Sequence, residues 1–88
     1  MPKRIRIGGN VQEANLITRV APAATNFQGE VVLSVVIGRE GSVQEINVVR
    51  GHPMLVPASI DAVRQWKYRP TLLNGTPVEV ATEVTLKF

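Results

Sequence analysis

The chain contains no cysteine, which excludes a disulfide framework, a thiol nucleophile and a thiolate metal site while leaving the compartment open. It has a single histidine, His52, placed in a loop between Gly51 and Pro53. One histidine cannot build a two-histidine metal site, and without cysteine it has no thiol to activate. The serines Ser34, Ser42 and Ser59 lie in no nucleophile-elbow pattern. The glycines at 8–9 and 38–41 are not followed by the Lys-Ser/Thr and helix that a phosphate loop needs. No apolar run approaches the roughly 20 residues of a membrane span. The basic start at Lys3, Arg4 and Arg6 leads into Gly8-Gly9-Asn10 and not into the apolar region of a signal peptide. Enzymatic activity, a cofactor, a metal and direct membrane insertion are therefore not expected of this segment.

Charge of one sign is also scarce where a nucleic-acid surface would need it. The net charge of +3 is supplied entirely by Lys3, Arg4 and Arg6; from Ile7 onward seven basic and seven acidic residues cancel. A nucleic-acid module carries its cations as a patch on the folded face, whereas these sit on a short arm, so nucleic-acid binding is not expected. What is present is a folding composition: 88 residues, 44% hydrophobic, enough for one small domain. A domain this small is modestly stable, and lost packing area would be felt.

Glu30 to Ile37 is the clearest strand. Val31, Leu33, Val35 and Ile37 line one face, and Val32, Ser34 and Val36 the other, as in a central strand with both faces covered. Residues 38–42 form a glycine-containing hairpin loop, and a return strand runs over about 42–50. Its parity slips, because Val43 and Val49 fall on one face and Ile46 and Val48 on the other, which predicts a β-bulge near Gln44-Glu45. Pro57 suits a first helical turn. Val56, Ile60, Val63 and Trp66 then recur at spacings of four, three and three, predicting a helix of about ten residues with one apolar stripe that ends before Pro70. Residues 72–77 read as a connecting turn. The last segment alternates without a break: Val78, Val80, Thr82, Val84, Leu86 and Phe88 on one side, Glu79, Ala81, Glu83, Thr85 and Lys87 on the other. That is a strand with one core face and one solvated face; Glu79 and Glu83 are solvated polar positions and not an acid–base pair.

The N-terminal third carries weaker signals. Arg4 to Ile7 alternates like a strand, and Asn10 with Glu13 is a candidate capping box. Residues 11–17 read as a short helix, yet 16–20 read equally well as extended chain, and residues 21–26 as a loop. The fold expected from these elements is α+β: a three-stranded antiparallel sheet with one main helix packed on one face. Glu30 to Ile37 is placed in the middle, and Ile60, Val63 and Trp66 meet Val80 and Val84.

Half of the four aromatic side chains fall in Trp66-Lys67-Tyr68-Arg69-Pro70. In extended chain Trp66 and Tyr68 face one side, and Lys67 and Arg69 the other. This motif, with the preceding Ala62-Val63-Arg64-Gln65, the strand ending at Gly38–Gly41, Val48-Val49-Arg50-Gly51, Asn74-Gly75-Thr76-Pro77-Val78 and the terminal strand, resembles the C-terminal domain of the TonB energy transducers of Gram-negative bacteria. The resemblance runs from about Gln28 to Phe88, dividing the chain into an arm and lead-in (1–27) and a domain (28–88). Arg4 to Val11 also looks like the lead-in of some branches of that family.

The resemblance implies a periplasmic peptide-binding domain that captures the TonB box of an outer-membrane transporter as an added β-strand. It would transmit force gathered by an inner-membrane proton-motive-force complex, reached through a preceding part of the protein. It implies a docking edge made of Val78, Glu79, Val80, Ala81, Thr82, Glu83, Val84, Thr85, Leu86 and Lys87, with Trp66, Tyr68 and Pro70 as the structural motif. The chain departs from the family in lacking the Tyr-Pro segment and first helix before the first core strand. Residues 21–27 stand there instead. The sheet so uncovered is expected to be covered either by residues 11–20 folding back or by strand sharing in a homodimer. The alternative function is then a structural or oligomerisation domain without TonB-box binding.

Overall fold

The computed structural model describes residues 4–23 and 25–88; Lys3 of the basic arm and Ala24 of the 21–26 loop lie outside the described residues. Three long strands build the centre. β3 (Glu30–Ile37) is paired antiparallel with β4 (Val43–Arg50) on one side and with β7 (Thr76–Lys87) on the other, which places it in the middle, as its two apolar faces require. Val31, Leu33, Val35 and Ile37 are sealed in the core with Val80, Val84 and Leu86 of β7.

The helix α2 (Val56–Val63) packs on that face. Its buried side chains are Ser59, Ala62 and Val63, joined by Leu55 just before it and Trp66 just after. Val56 and Ile60 of the expected stripe lie half-buried against the same core. The stripe is thus turned slightly from its apolar centroid, because small Ser59 and Ala62 allow the closest approach to the sheet. The Ser59 hydroxyl, buried among them, donates to the Leu55 carbonyl at 2.9 Å.

The β3–β4 register shifts twice. Gln44 is the extra residue between the Val36–Glu45 and Ile37–Val43 pairs, where the parity slip predicted a bulge. Val49 is a second, between Val32–Arg50 and Leu33–Val48. Residues 72–77 are more than a connection: β6 (Thr71–Leu73) pairs antiparallel with the start of β7. The two-residue loop Asn74-Gly75 takes positive φ at both positions, 54° and 82°, the combination that a twisted two-residue hairpin demands.

The N-terminal segment folds back on the core. β1 (Arg4–Arg6) lies parallel to β7. α1 (Gly9–Gln12) and a 3₁₀ turn (Glu13–Asn15) follow, then β2 (Leu16–Thr18), which pairs with β5 (Lys67–Tyr68). The helix begins at Gly9 with Gly8 as its N-cap and no side-chain cap, so it starts earlier than the capping-box reading placed it. Ile5, Ile7, Leu16 and Val20 pack against the core, so the N-terminal segment adds cover to the sheet. Among the described residues no helix is long and apolar enough to cross a membrane.

Among the described residues no helix packs on the opposite sheet face, yet Val32 and Val36 are buried there. Ion pairs cross that face. The Arg4 guanidinium contacts Glu79 at 3.2 Å and Glu45 at 3.7 Å, reaching from β1 toward β4, and Glu30 contacts both Arg50 and Lys87 at 3.9 Å. Each exposed pair is worth at most about 1 kcal/mol.

Candidate peptide-docking edge

β7 is the longest strand because its alternation never breaks and its partners change along it. Val78, Val80, Thr82, Val84 and Leu86 are buried, while Glu83, Thr85 and Lys87 are exposed and Glu79 and Ala81 half-buried. On one edge β3 pairs with it from Val80 to Lys87. The other edge is used in part. β1 takes Glu79 to Ala81 in parallel register, Arg4 opposite Glu79, Ile5 opposite Val80 and Arg6 opposite Ala81. The Ile7 amide donates to the Ala81 carbonyl at 3.0 Å.

That last bond fixes the direction of the remaining main-chain groups. Alternate residues of a strand turn their N–H and C=O to the same edge. With the Ala81 carbonyl aimed at β1, Glu83, Thr85 and Lys87 aim at the same side. α1 approaches the first of these so closely that a Cβ on Gly9 would run into the Glu83 carbonyl oxygen. Among the described residues no strand pairs with Glu83 to Lys87 on that side. The edge that the resemblance implies, residues 78–87, therefore has Glu79 to Ala81 taken by β1 and Glu83 to Lys87 without a strand partner among the described residues.

Beside the unpaired half opens a cleft of about 360 Å³. Leu16 and Arg19 line it from the N-terminal segment, Trp66 and Tyr68 from the chain after α2, and Glu83, Val84 and Thr85 from β7. Trp66 and Tyr68 are both buried, whereas Lys67 and Arg69 are exposed, the alternation that extended chain imposes; Pro70 is exposed as well. The Trp66 indole Nε1 donates to the Val20 carbonyl at 2.8 Å. The Arg19 guanidinium stands 5.2 Å from the indole ring centre, within cation–π range, and also contacts Glu13 at 3.3 Å. Lys67 Nζ donates to the Ser42 hydroxyl at 3.0 Å. Burial, with the Glu13 carboxylate adding and Arg19 opposing, pushes the Tyr68 phenol up to about 12, so it is a neutral donor or acceptor at any ordinary pH.

The cleft's polar lining residues are Glu13, Arg19, Tyr68, Glu83 and Thr85. This suits main-chain and side-chain recognition of an extended peptide: an unpaired strand edge supplies hydrogen bonds and an adjacent cleft takes a side chain. His52 lies elsewhere, stacked on Phe27 at 5.3 Å, with Nδ1 accepting from the Met54 amide. Among the described residues no group of His, Asp and Glu could hold a metal ion. Sequence reasoning missed Gly9, Glu13, Leu16 and Arg19 as cleft residues. The alternation of Arg4 to Ile7, the extended reading of residues 16–20 and the expected fold-back of 11–20 pointed to this segment without naming its cleft residues.

The family model described as Gram-negative bacterial TonB protein C-terminal matches residues 21–88. The solution NMR structure of the Pseudomonas aeruginosa TonB CTD is similar in fold, with a TM-score of 0.69 over 83% of this chain and 82% of that one at 18% identity. No curated protein matches the chain.

Proposed function

This chain belongs to the Gram-negative bacterial TonB protein C-terminal family, and from that premise we propose that it is the periplasmic, peptide-capturing end of a TonB-type energy transducer. In this reading it is a binding module and not an enzyme. Residues 28–88 carry the docking edge, and residues 1–27 are its lead-in. It takes the TonB box of an outer-membrane transporter as an added strand on β7, and a preceding inner-membrane part of the protein couples it to the proton-motive-force complex. One observation carries the reading: the outward main-chain groups of β7 after Glu83 are unpaired beside a cleft floored by Trp66 and Tyr68. β1, a strand already added to the same edge, supports it.

The test is an NMR titration of the full chain with a synthetic transporter TonB-box peptide. Saturable shifts at the Thr85 and Lys87 amides and the Trp66 indole are expected. Thr85→Pro should abolish them without unfolding the domain, because proline removes an edge donor that β3 does not use. Shifts confined to β4, or none, would sink the reading. A tight dimer that ignores the peptide would favour the oligomerisation alternative.

A further inference from the structure

The β1–β7 pairing has two properties that a permanent sheet strand does not need. Among the described residues it is short: three register pairs join β1 to β7, against eight between β3 and β7. It is also built like a complex. Ile5 and Ile7 turn toward the core and are only half-buried, while Arg4 and Arg6 turn outward onto carboxylates, Arg4 to Glu79 and Glu45 and Arg6 to Glu83 at 3.9 Å. Branched apolar side chains alternate with cations, and three glutamates from β4 and β7 receive the cations.

The unpaired remainder of the edge offers an extended peptide few main-chain partners. Of its three outward residues Gly9 already abuts Glu83, leaving Thr85 and Lys87. A peptide that gains more than two residues of pairing must take the place of β1. Gly8 and Gly9 come one residue beyond β1, after Ile7, so β1 can swing away with little steric resistance from its own backbone.

We propose that the Glu79–Glu83 edge of β7 is a docking surface for an extended peptide running parallel to it, with branched apolar side chains at alternate positions and arginine or lysine between, and that β1 is its resident occupant, displaced when such a peptide binds. This deepens the peptide-capture reading above and rests on it for the edge alone. The register of β1 defines the slots. Positions equivalent to Ile5 and Ile7 face the core, and those equivalent to Arg4 and Arg6 face Glu79, Glu45 and Glu83. An acidic residue at the outward positions meets like charge and is rejected.

The experiment uses the full chain, its Arg4→Glu/Arg6→Glu double variant and its Ile5→Asp variant, each first confirmed folded by Trp66 fluorescence. The probe is a fluorescent peptide Lys-Arg-Ile-Arg-Ile-Gly, read by anisotropy at low salt. A control probe carries glutamate in place of both arginines. Both variants loosen β1 and should bind the first probe at least tenfold more tightly than the unaltered chain. The control probe should bind none of them. In the unaltered chain the Ile7 amide should exchange with deuterium at least a hundredfold faster than the Leu33 amide. Equal affinity of all three proteins for the probe, no binding to either folded variant, equal binding of the two probes, or an Ile7 amide as protected as that of Leu33 would each overturn the proposal. Loss of affinity with rising protein concentration, from dimers that fill the edge with a second copy's strand, would overturn it too. Failure of a transporter peptide to bind while this probe binds would remove the transducer reading and leave this one standing.

Discussion

The Trp66 indole Nε1 donates to the carbonyl oxygen of Val20 at 2.8 Å, across 46 residues of sequence. This bond fastens the N-terminal segment to the end of α2. It is reinforced by the Arg69 amide donating to the Asn15 carbonyl at 2.8 Å and by the β2–β5 pairing. Together they make the Trp66–Pro70 motif a seam: its apolar side enters the core, and its main chain and indole nitrogen hold the N-terminal segment against it.

Trp66→Phe separates the seam from the core. Phenylalanine keeps much of the buried area but leaves the Val20 carbonyl without its donor, at a cost of about 1–2 kcal/mol. Trp66→Ala also empties the core site and should cost about 3–5 kcal/mol, a large share of a small domain's stability of roughly 5–15 kcal/mol. Urea unfolding followed by circular dichroism measures both. An alanine variant within about 0.5 kcal/mol of the unaltered chain would show that the core is placed wrongly.

Gly9→Ala tests the docking of α1 by the sign of its effect. On an exposed helix, alanine is better than glycine by about 1 kcal/mol. Here the new Cβ meets the main-chain carbonyl of Glu83, which is fixed in β7 and cannot yield like a side-chain tip. The crowding should destabilise by about 1–3 kcal/mol and speed exchange of the Gln12 amide, which donates to Gly8 at 2.9 Å. A variant more stable than the parent would mean that α1 stands clear of β7.

The elements most legible in the sequence are those with a sustained period. The alternation of residues 78–88 assigned the buried side of β7 residue by residue, and the two-sided apolar run of Glu30 to Ile37 placed β3 in the middle. The parity slip at Gln44 located a bulge before any register was known. The rest depended on contacts that no local pattern encodes. β1 has three residues, and its Arg4 contacts Glu79, 75 positions away, so alternation announced a strand without announcing its partner. Ser59 and Ala62 are buried because they are small, which an apolar stripe does not register. Arg19 enters the cleft through Trp66 and Glu13, a meeting created by the fold-back itself.

Tyr68 gives the seam a pH dependence with a defined sign. Burial, helped by Glu13 and opposed by Arg19, raises its phenol from 10.0 to about 12 in the folded chain. The folded state thus holds the phenolic proton more tightly than the unfolded chain does. The corresponding stability is complete below pH 10 and is lost as pH rises through about 12. Tyr68 is the only tyrosine, so ultraviolet tyrosinate absorbance reports this site alone. It should appear well above pH 10 and together with the change in Trp66 fluorescence that marks opening of the seam. Glu13→Gln removes one of the raising causes and should move the titration to lower pH, whereas Arg19→Gln should move it higher. Tyr68→Phe should flatten the alkaline loss of stability. Ionisation near pH 10 in a chain that is still folded would show that the phenol is solvated, and with it that the cleft floor is open to water.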